Sequence, residues 1–338
     1  MARTRLSATP LIRARDVMKT FVKGGAMIGA KKAIRAVDRA SFDVGYSENV
    51  VLLGESGCGK STLGRIALGL LRPDSGVVEF EGEDIWSLNG TDFSEFRRNA
   101  QIVHQDPYTS LNPVRTIFGS LAPAMVQNKV ASRKDVRESV KELLALVGLV
   151  PPEDFLDRYP ARMSGGQMQR VTLARAISLR PKFIVADEAV SMLDASLRLG
   201  AIDLMLDLQK KFKMSYLFIT HDFGIARYFI LKSRGKVIVM YLGSLVEIGD
   251  ADSVIKKPLH PYTQVLMESI PVPDPEIARK RPIPMLRSME VPKLEETPSG
   301  CKFHTRCPYA IERCATEVPE LRGAGNKLVA CHLAEEFL

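Results

Sequence analysis

Val50-Val51-Leu52-Leu53-Gly54-Glu55-Ser56-Gly57-Cys58-Gly59-Lys60-Ser61-Thr62 places a short apolar run directly before the pattern G-x-x-x-x-G-K-S-T, and the helix-forming residues 63–71 follow it. Such a run reads as a buried strand, and strand, glycine-rich loop and helix in that order are the context that a phosphate-binding loop, or P-loop, requires. The glycines let the backbone curl so that N–H groups of the loop point inward at phosphate oxygens, and the helix N-terminus adds its partial positive charge. Lys60 is then placed to reach the β- and γ-phosphates and Ser61 to ligate Mg²⁺. A glycine-rich turn that binds nothing is the bland alternative, and it leaves the complete motif in this context unexplained.

Further along the chain, Phe183-Ile184-Val185-Ala186 ends in Asp187-Glu188. Many strands stop at a charged turn, so an acidic strand end means little alone. Paired with a P-loop, it supplies what the loop lacks: Asp187 can hold the magnesium shell while Glu188 polarises an attacking water. Around these two strands, β-branched runs alternate with helical stretches to about residue 250, the pattern of an α/β domain on a mostly parallel sheet. The strands expected are Ile12–Val17, Ser41–Val44, Val50–Leu53, Val77–Glu81, Gln101–His104, Phe183–Ala186, Tyr216–Thr220, Lys236–Met240 and Ser244–Ile248. Between His104 and Met163 the strand signal disappears, and apolar residues at Val136, Val140, Leu143, Leu144 and Val147 mark a helix within 132–147. A helical subdomain is therefore expected over about 106–163.

Composition bounds the function. The 338 residues are 46% apolar and 25% charged, as in an ordinary globular protein of about two domains. No apolar run approaches the ~18 residues of a membrane span, and no apolar run behind Met1-Ala2-Arg3-Thr4-Arg5 could serve as a signal peptide, so residence in the cytosol is expected. Net charge is +8, and residues 1–50 carry ten Lys/Arg against four Asp/Glu. The basic residues are scattered without interleaved aromatics, and no nucleic-acid partner is expected.

With these residues in place, the chain resembles an ATP-binding cassette (ABC) ATPase, because Met163-Ser164-Gly165-Gly166-Gln167 is similar to that family's L-S-G-G-Q signature. The remaining cassette marks follow in order: Gln105 at a strand end, Ser191-Met192-Leu193-Asp194 after the acidic strand, and His221 in Ile219-Thr220-His221-Asp222. The resemblance implies an ABC-type P-loop NTPase domain over 10–255, with a mostly parallel core sheet, an antiparallel β subdomain and the helical subdomain. It implies ATP and Mg²⁺ as ligands. Glu188, Gln105 and His221 are implied as catalytic groups, Gln105 joins Ser61 and Asp187 at Mg²⁺, and Gly54–Thr62 with Asp194 hold nucleotide. Ser164, Gly165, Gly166 and Gln167 open a helix expected to run to Leu179, a second anion-binding helix end that in the family closes on the partner subunit's ATP. His221 has two readings, a core histidine or the γ-phosphate contact of the family. Phe21 likewise reads as a core phenylalanine or as the aromatic that relatives stack on adenine.

Finer resemblance points to one branch. Gly54–Gly64, Gln105-Asp106-Pro107-Tyr108-Thr109-Ser110-Leu111-Asn112-Pro113, Met240-Tyr241-Leu242-Gly243 and His260-Pro261-Tyr262-Thr263 are similar to the dipeptide/oligopeptide importer ATPases, and Cys58 with Pro107-Tyr108 resembles the F-type member of their D/F pair. Met163 replaces Leu, Ala189 stands where proline is usual and Met192 replaces Ala, without removing a catalytic group. The branch implies an energy-coupling subunit at the cytoplasmic face of the membrane, its partners a second ABC ATPase (a D-type homologue), two membrane permease subunits and an extracytoplasmic substrate-binding protein acting through them. Oligosaccharide and nickel importers use similar ATPases. A soluble ABC ATPase of DNA repair is disfavoured because no coiled-coil heptads lie between Lys60 and Met163, and one of translation because only one cassette is present.

The end of the chain departs in composition. Nine of the 20 prolines fall in 256–300, which reads as an extended wrapping segment. Residues 301–335 then hold Cys301, Cys307, Cys314 and Cys331, four of the five cysteines. Four soft ligands so close together suggest one tetrahedral site in a small C-terminal metal-binding tail domain. The spacing is not the paired C-x2-C of a zinc ribbon. A similar pattern in the importer branch is associated with a [4Fe–4S] cluster, and Cys307-Pro308 resembles ferredoxin-type ligation. An iron–sulfur cluster, Zn²⁺, and metal-free cysteines are the three readings, with a structural role expected and redox sensing the alternative.

Overall fold

A computed structural model describes residues 9–23, 32–270 and 286–338. The start of the chain, on which the reading of its targeting rests, and the central part of the proline-rich segment lie outside the described residues.

The strands are β1 (Ile12–Lys23), β2 (Lys32–Val44), β3 (Asn49–Leu53), β4 (Ser75–Phe80), β5 (Glu83–Asp84), β6 (Ala100–Val103), β7 (Phe183–Asp187), β8 (Ser215–Thr220), β9 (Lys236–Tyr241), β10 (Ser244–Asp250), β11 (Arg322–Ala324) and β12 (Lys327–Val329). They form a four-stranded sheet, β2-β1-β4-β5, with antiparallel pairing, and an eight-stranded sheet in the order β11-β12-β10-β9-β3-β8-β7-β6. In the larger sheet β9, β3, β8, β7 and β6 run parallel, while β10, β12 and β11 extend one edge antiparallel. Every residue of β3, β7 and β8 is buried. A parallel sheet covered on both faces demands such unbroken apolar runs.

The sheet divides two cores by strand alternation. Val51, Leu53, Ile184, Ala186, Phe218 and Val239 face one, shared with the helices that follow β6. Val50, Leu52, Phe183, Val185, Leu217 and Ile238 face the other, shared with the small sheet and with α1 (Lys60–Ala67). After α2 (Gly90–Asn99) and β6 come α3 (Pro107–Ser110), α4 (Ile117–Gln127), α5 (Val136–Leu146) and α6 (Glu153–Leu156), with no strand among them. They bury Leu121, Leu144 and Leu156 in the first core. α7 (Gly165–Ile177), α8 (Ala195–Phe212) and α9 (Phe223–Ser233) complete the layer.

Two expectations need correction. The stretch from 256 to 300 is not extended throughout: after α10 (Ala251–Lys256), the helix α11 (Pro261–Glu268) buries Tyr262 and Leu266. Pro261 stands at the first helical turn, where its missing N–H costs nothing, and His260 caps the helix by accepting from the Tyr262 N–H. The C-terminal tail does not stand apart from the cassette either, although Ala324, Val329, Cys331 and Ala334 gather with Leu259 in a small cluster of their own. Cys301, Phe303, Cys307 and Cys314 belong to the first core of the cassette, and β12 pairs with β10, which makes the tail an edge of the main sheet. A buried ion pair, Lys327 to Glu247 at 3.1 Å, seals that edge.

Candidate active site

Parallel register brings the strand ends together. Leu53 pairs with Thr220, and Ile219 with Asp187, so the residues just beyond β3, β7 and β8 open on one crevice at the C-terminal edge of the sheet. Ligands of open α/β sheets bind at this edge. The loop after β3 runs into α1, whose first residue is Lys60. Gly59, at φ +109°, caps this helix in a backbone region open chiefly to glycine, and a Cβ there would run into the Ala36 carbonyl.

Lys60 is buried, and its ammonium donates to the carbonyls of Gly54 and Glu55 at 2.8 Å each. Ser56 and Gly57 are exposed at the loop's crest, whereas Cys58 is buried, and burial pushes its thiol pKa up against the pull of Lys60. The Ser61 hydroxyl donates to Asp187 Oδ1 at 2.8 Å. Burial raises the Asp187 pKa, opposed by the Ser61 hydrogen bond and by Arg65 and His104, while the neighbouring Glu188 raises it further. A hydroxyl and a carboxylate in contact, both hard oxygen donors, suit Mg²⁺.

Glu188 adopts φ +49°, a left-handed conformation for a non-glycine residue, directly after β7. His221 Nδ1 lies 2.8 Å from Glu188 Oε1. This excludes the reading of His221 as a core histidine, since its side chain is 45% exposed. Glu188, His221, Gln105, Ser191 and Asp222 line a cavity of about 240 Å³. Phe21 is 41% exposed on β1 and is not a core residue.

The signature lies at the start of α7. Ser164 accepts from the Gln167 N–H at 3.3 Å and its own N–H donates to Gln167 Oε1 at 3.1 Å, a capping box. Gln167 is thus committed to holding the helix end. The N–H groups of Gly165 and Gly166 remain in the first turn, where a helix leaves its donors free. Asp194 stands at the N-cap position of α8 without a side-chain hydrogen bond to the helix end, and it is exposed.

Sequence reasoning missed what stands behind the P-loop. Arg306 Nη1 lies 3.1 Å from both carboxylate oxygens of Glu55, and the Tyr262 hydroxyl accepts from the Glu55 N–H at 3.0 Å. Lys302 bonds Asp38 Oδ2 and the Leu242 carbonyl at 2.8 Å each. It also missed His104, beside Asp187, whose pKa is lowered chiefly by burial. The only sequence signal for His104 was its place before Gln105.

The four C-terminal cysteines are free and buried. Burial drives the Cys301 thiol up to about 12 and Cys331 to about 11, and the fields of the neighbouring cysteines add to both. Their chemistry fits a thiolate-ligated centre. Among the described residues, however, no group of three or more His, Cys, Asp or Glu side chains is arranged to hold a metal ion. A metal-binding tail domain, expected from the cysteine spacing, is not formed in this structure.

Fold and crevice define an ATP-binding cassette ATPase: a P-loop, an acidic strand end and a histidine on adjoining parallel strands, with a capped signature helix. Comparison with known proteins agrees. The family described as "ABC transporter" matches residues 37–191, and "Oligopeptide/dipeptide transporter, C-terminal region" matches 246–314. The chain is 40% identical over 336 residues, 99% of each chain, to the "Di/tripeptide transport ATP-binding protein DppF" of Pseudomonas aeruginosa. It is also 40% identical to the "Oligopeptide transport ATP-binding protein OppF" of Salmonella typhimurium, over 89% of this chain and 88% of that one. Among solved structures, the dimeric ATP-binding cassette MJ0796 bound to ADP and Pi matches with a TM-score of 0.61 at 25% identity, covering 71% of this chain and 98% of that one. The chain belongs to the family of ATP-binding subunits of oligopeptide/dipeptide ABC transporters, and it is an ATPase.

Proposed function

We propose that this chain hydrolyses ATP to drive import of di- or oligopeptides, as one cassette of a pair docked on two membrane permease subunits at the cytoplasmic face of the membrane. The observation that carries the reading is the convergence of Lys60, Ser61–Asp187 and Glu188–His221 at the ends of adjoining parallel strands. Peptide cargo rests on the relatives named for peptide transport and on the matching C-terminal region. No helix among the described residues is long and apolar enough to cross a membrane, in keeping with a subunit that relies on permease partners.

In this reading Glu188 is the general base and His221, bonded to it, orients its carboxylate and contacts the γ-phosphate. Ser61, Asp187 and Gln105 hold Mg²⁺, which when bound neutralises charge on the β- and γ-phosphates. Phe21, exposed, stacks on adenine. Ser164 to Gln167 present the N-terminus of α7 to the nucleotide of a second cassette, a D-type homologue; the solved cassette named as dimeric supports the pairing. The segment from α3 to α6, which exposes Tyr108 on α3 and Val114 in the loop before α4, receives the permeases, to which a substrate-binding protein delivers cargo. Cys301, Cys307, Cys314 and Cys331 hold a [4Fe–4S] cluster, with Zn²⁺ the alternative, after a local rearrangement that gathers their sulfurs. Anaerobic protein that is brown and absorbs near ~400 nm supports the cluster, one zinc per colourless chain supports the alternative, and metal-free protein refutes both. The principal test is peptide uptake by the intact complex. Glu188→Gln abolishes uptake while the complex still binds ATP; retained uptake in that variant refutes the reading.

A further inference from the structure

The phosphate loop has a back as well as a mouth. On the inner side, the Lys60 ammonium is held by the carbonyls of Gly54 and Glu55. On the outer side, the same Glu55 is gripped twice, by Tyr262 through its N–H and by Arg306 through its carboxylate. Arg306 is no casual surface partner. Its side chain is 6% exposed, it lies over the rings of Tyr241 and Phe303, and its Nη1 is 3.4 Å from the Tyr241 hydroxyl. Glu55 is the one carboxylate it pairs with among the described residues, and Arg306 Nε has no partner there. A guanidinium removed from water requires its counter-ion, so the pair fixes where Glu55 sits.

The platform behind Arg306 is rigid. Tyr241, Tyr262 and Phe303 pack with ring centroids 4.5, 5.3 and 5.4 Å apart, and Lys302, nearby in sequence, is tied to Asp38 and to the Leu242 carbonyl. Arg306 directly precedes Cys307 and donates none of its contacts to the crevice itself. Displacing Glu55 moves the two carbonyls that place the Lys60 ammonium, which meets the nucleotide phosphates.

We propose that Arg306 is a positioning residue for nucleotide binding: with Tyr262 it forms a brace, supplied by the C-terminal region, that holds the P-loop through Glu55 and so sets nucleotide affinity. The brace acts on binding, not on the chemical step, because Glu188 and His221 stand on other strands. It rests on the reading of Gly54–Thr62 as the nucleotide site. The tail is then more than the structural pin expected from its cysteines.

The test is Mg-ADP titration of the full-length chain by calorimetry, with the KM and kcat of ATP hydrolysis alongside. Arg306→Gln and Glu55→Gln should each weaken Mg-ADP binding about tenfold and raise KM alike; in Arg306→Gln, which lies outside the nucleotide crevice, kcat should stay within about twofold of the parent, and the double variant should be no weaker than either single. Because one nitrogen bridges both carboxylate oxygens, Arg306→Lys should restore affinity to within about threefold. Tyr262→Phe, which removes only the acceptor of the Glu55 N–H, should weaken binding a few-fold. Parental Mg-ADP affinity in Arg306→Gln with only a lowered melting temperature overturns the brace, as do losses that simply add in the double variant. If Arg306→Gln does not fold, Glu55→Gln decides, since its side chain is partly exposed; unchanged affinity there overturns the proposal. Lys60→Ala separates the premises: unchanged binding in that variant refutes the site itself, whereas lost binding in Lys60→Ala with parental binding in Arg306→Gln refutes the brace alone.

Discussion

The mouth and the back of the P-loop are built to opposite specifications. At the mouth, Ser56 and Gly57 are exposed, His221 is half-exposed beside Glu188, and the polar groups line an open cavity. At the back, aromatic rings and aliphatic stems enclose Arg306, and farther along the same edge Glu247 and Lys327 pair with almost no exposure. The mouth must stay hydrated for nucleotide to enter and leave. The back never exchanges anything, so it can be dry, and a dry site makes each charge expensive to orphan. Mutations at the back should therefore read out chiefly as stability or affinity, and mutations at the mouth as turnover.

The sharpest test of that contrast is Lys327→Met. Glu247 would keep only the N–H groups of Leu259 and His260, at 3.0 Å each, as partners in a site with no exposure. Breaking a buried pair from one side costs ~3–5 kcal/mol, so urea unfolding should show a loss of that size. A loss below ~1 kcal/mol would mean the pair is wet, and the contrast would collapse.

Next in size is Glu188→Gln at the mouth. The amide keeps the shape and the contact with His221 but cannot take a proton, so kcat should fall ~10²-fold or more while ATP affinity and melting temperature stay near the parent's. Near-parental hydrolysis would remove Glu188 from the role of base.

A third test uses pH. His260 is fully buried at the back, its Nδ1 accepts from the Tyr262 N–H, and desolvation lowers its pKa to about 3. In the unfolded chain a histidine titrates near ~6.5. As pH falls the unfolded state takes up this proton first, so the stability from neutral His260 is complete above about pH 6.5 and declines below it, by ~2 kcal/mol at pH 5. His260→Asn, which also caps a helix, should flatten that decline; an unchanged acid limb would place the effect on other groups.

How much of this was legible in sequence follows the same division. The mouth is made of short local patterns: an apolar run into a glycine loop, an apolar run into Asp187-Glu188, an apolar run into His221, each readable because a parallel strand is apolar throughout and its end is functional. The back has no such code. Glu55 and Arg306 are 251 positions apart, and nothing in either neighbourhood announces the other. β11 and β12, three residues each, are too short to show a period, and Lys327 is a charge where a strand pattern expects none. Pro261 read as a breaker because its helix-starting role depends on His260 capping the turn. The outer ends of β1 and β2 were missed because Lys and Arg interrupt their apolar residues, leaving in the missed part of β2 only Ala36, Val37 and Ala40 buried.

The smallest effect expected lies at the signature, where stability and turnover can be pulled apart at one residue. Ser164 caps α7 through its hydroxyl, so Ser164→Ala should cost ~1 kcal/mol, the usual worth of such a cap. Ser164→Asp supplies an equally good cap acceptor and should unfold like the parent. It also places a carboxylate at a helix end whose N–H groups suit an anion. If that end meets the γ-phosphate of a second cassette's ATP, the aspartate repels it, and hydrolysis falls while Mg-ADP binding at Lys60 of the same chain is kept. Ser164→Ala, lacking the charge, should lose far less activity than Ser164→Asp despite being the less stable of the two. The reverse order, with activity tracking melting temperature across the pair, would make Ser164 a helix cap alone and remove the signature from the nucleotide sandwich.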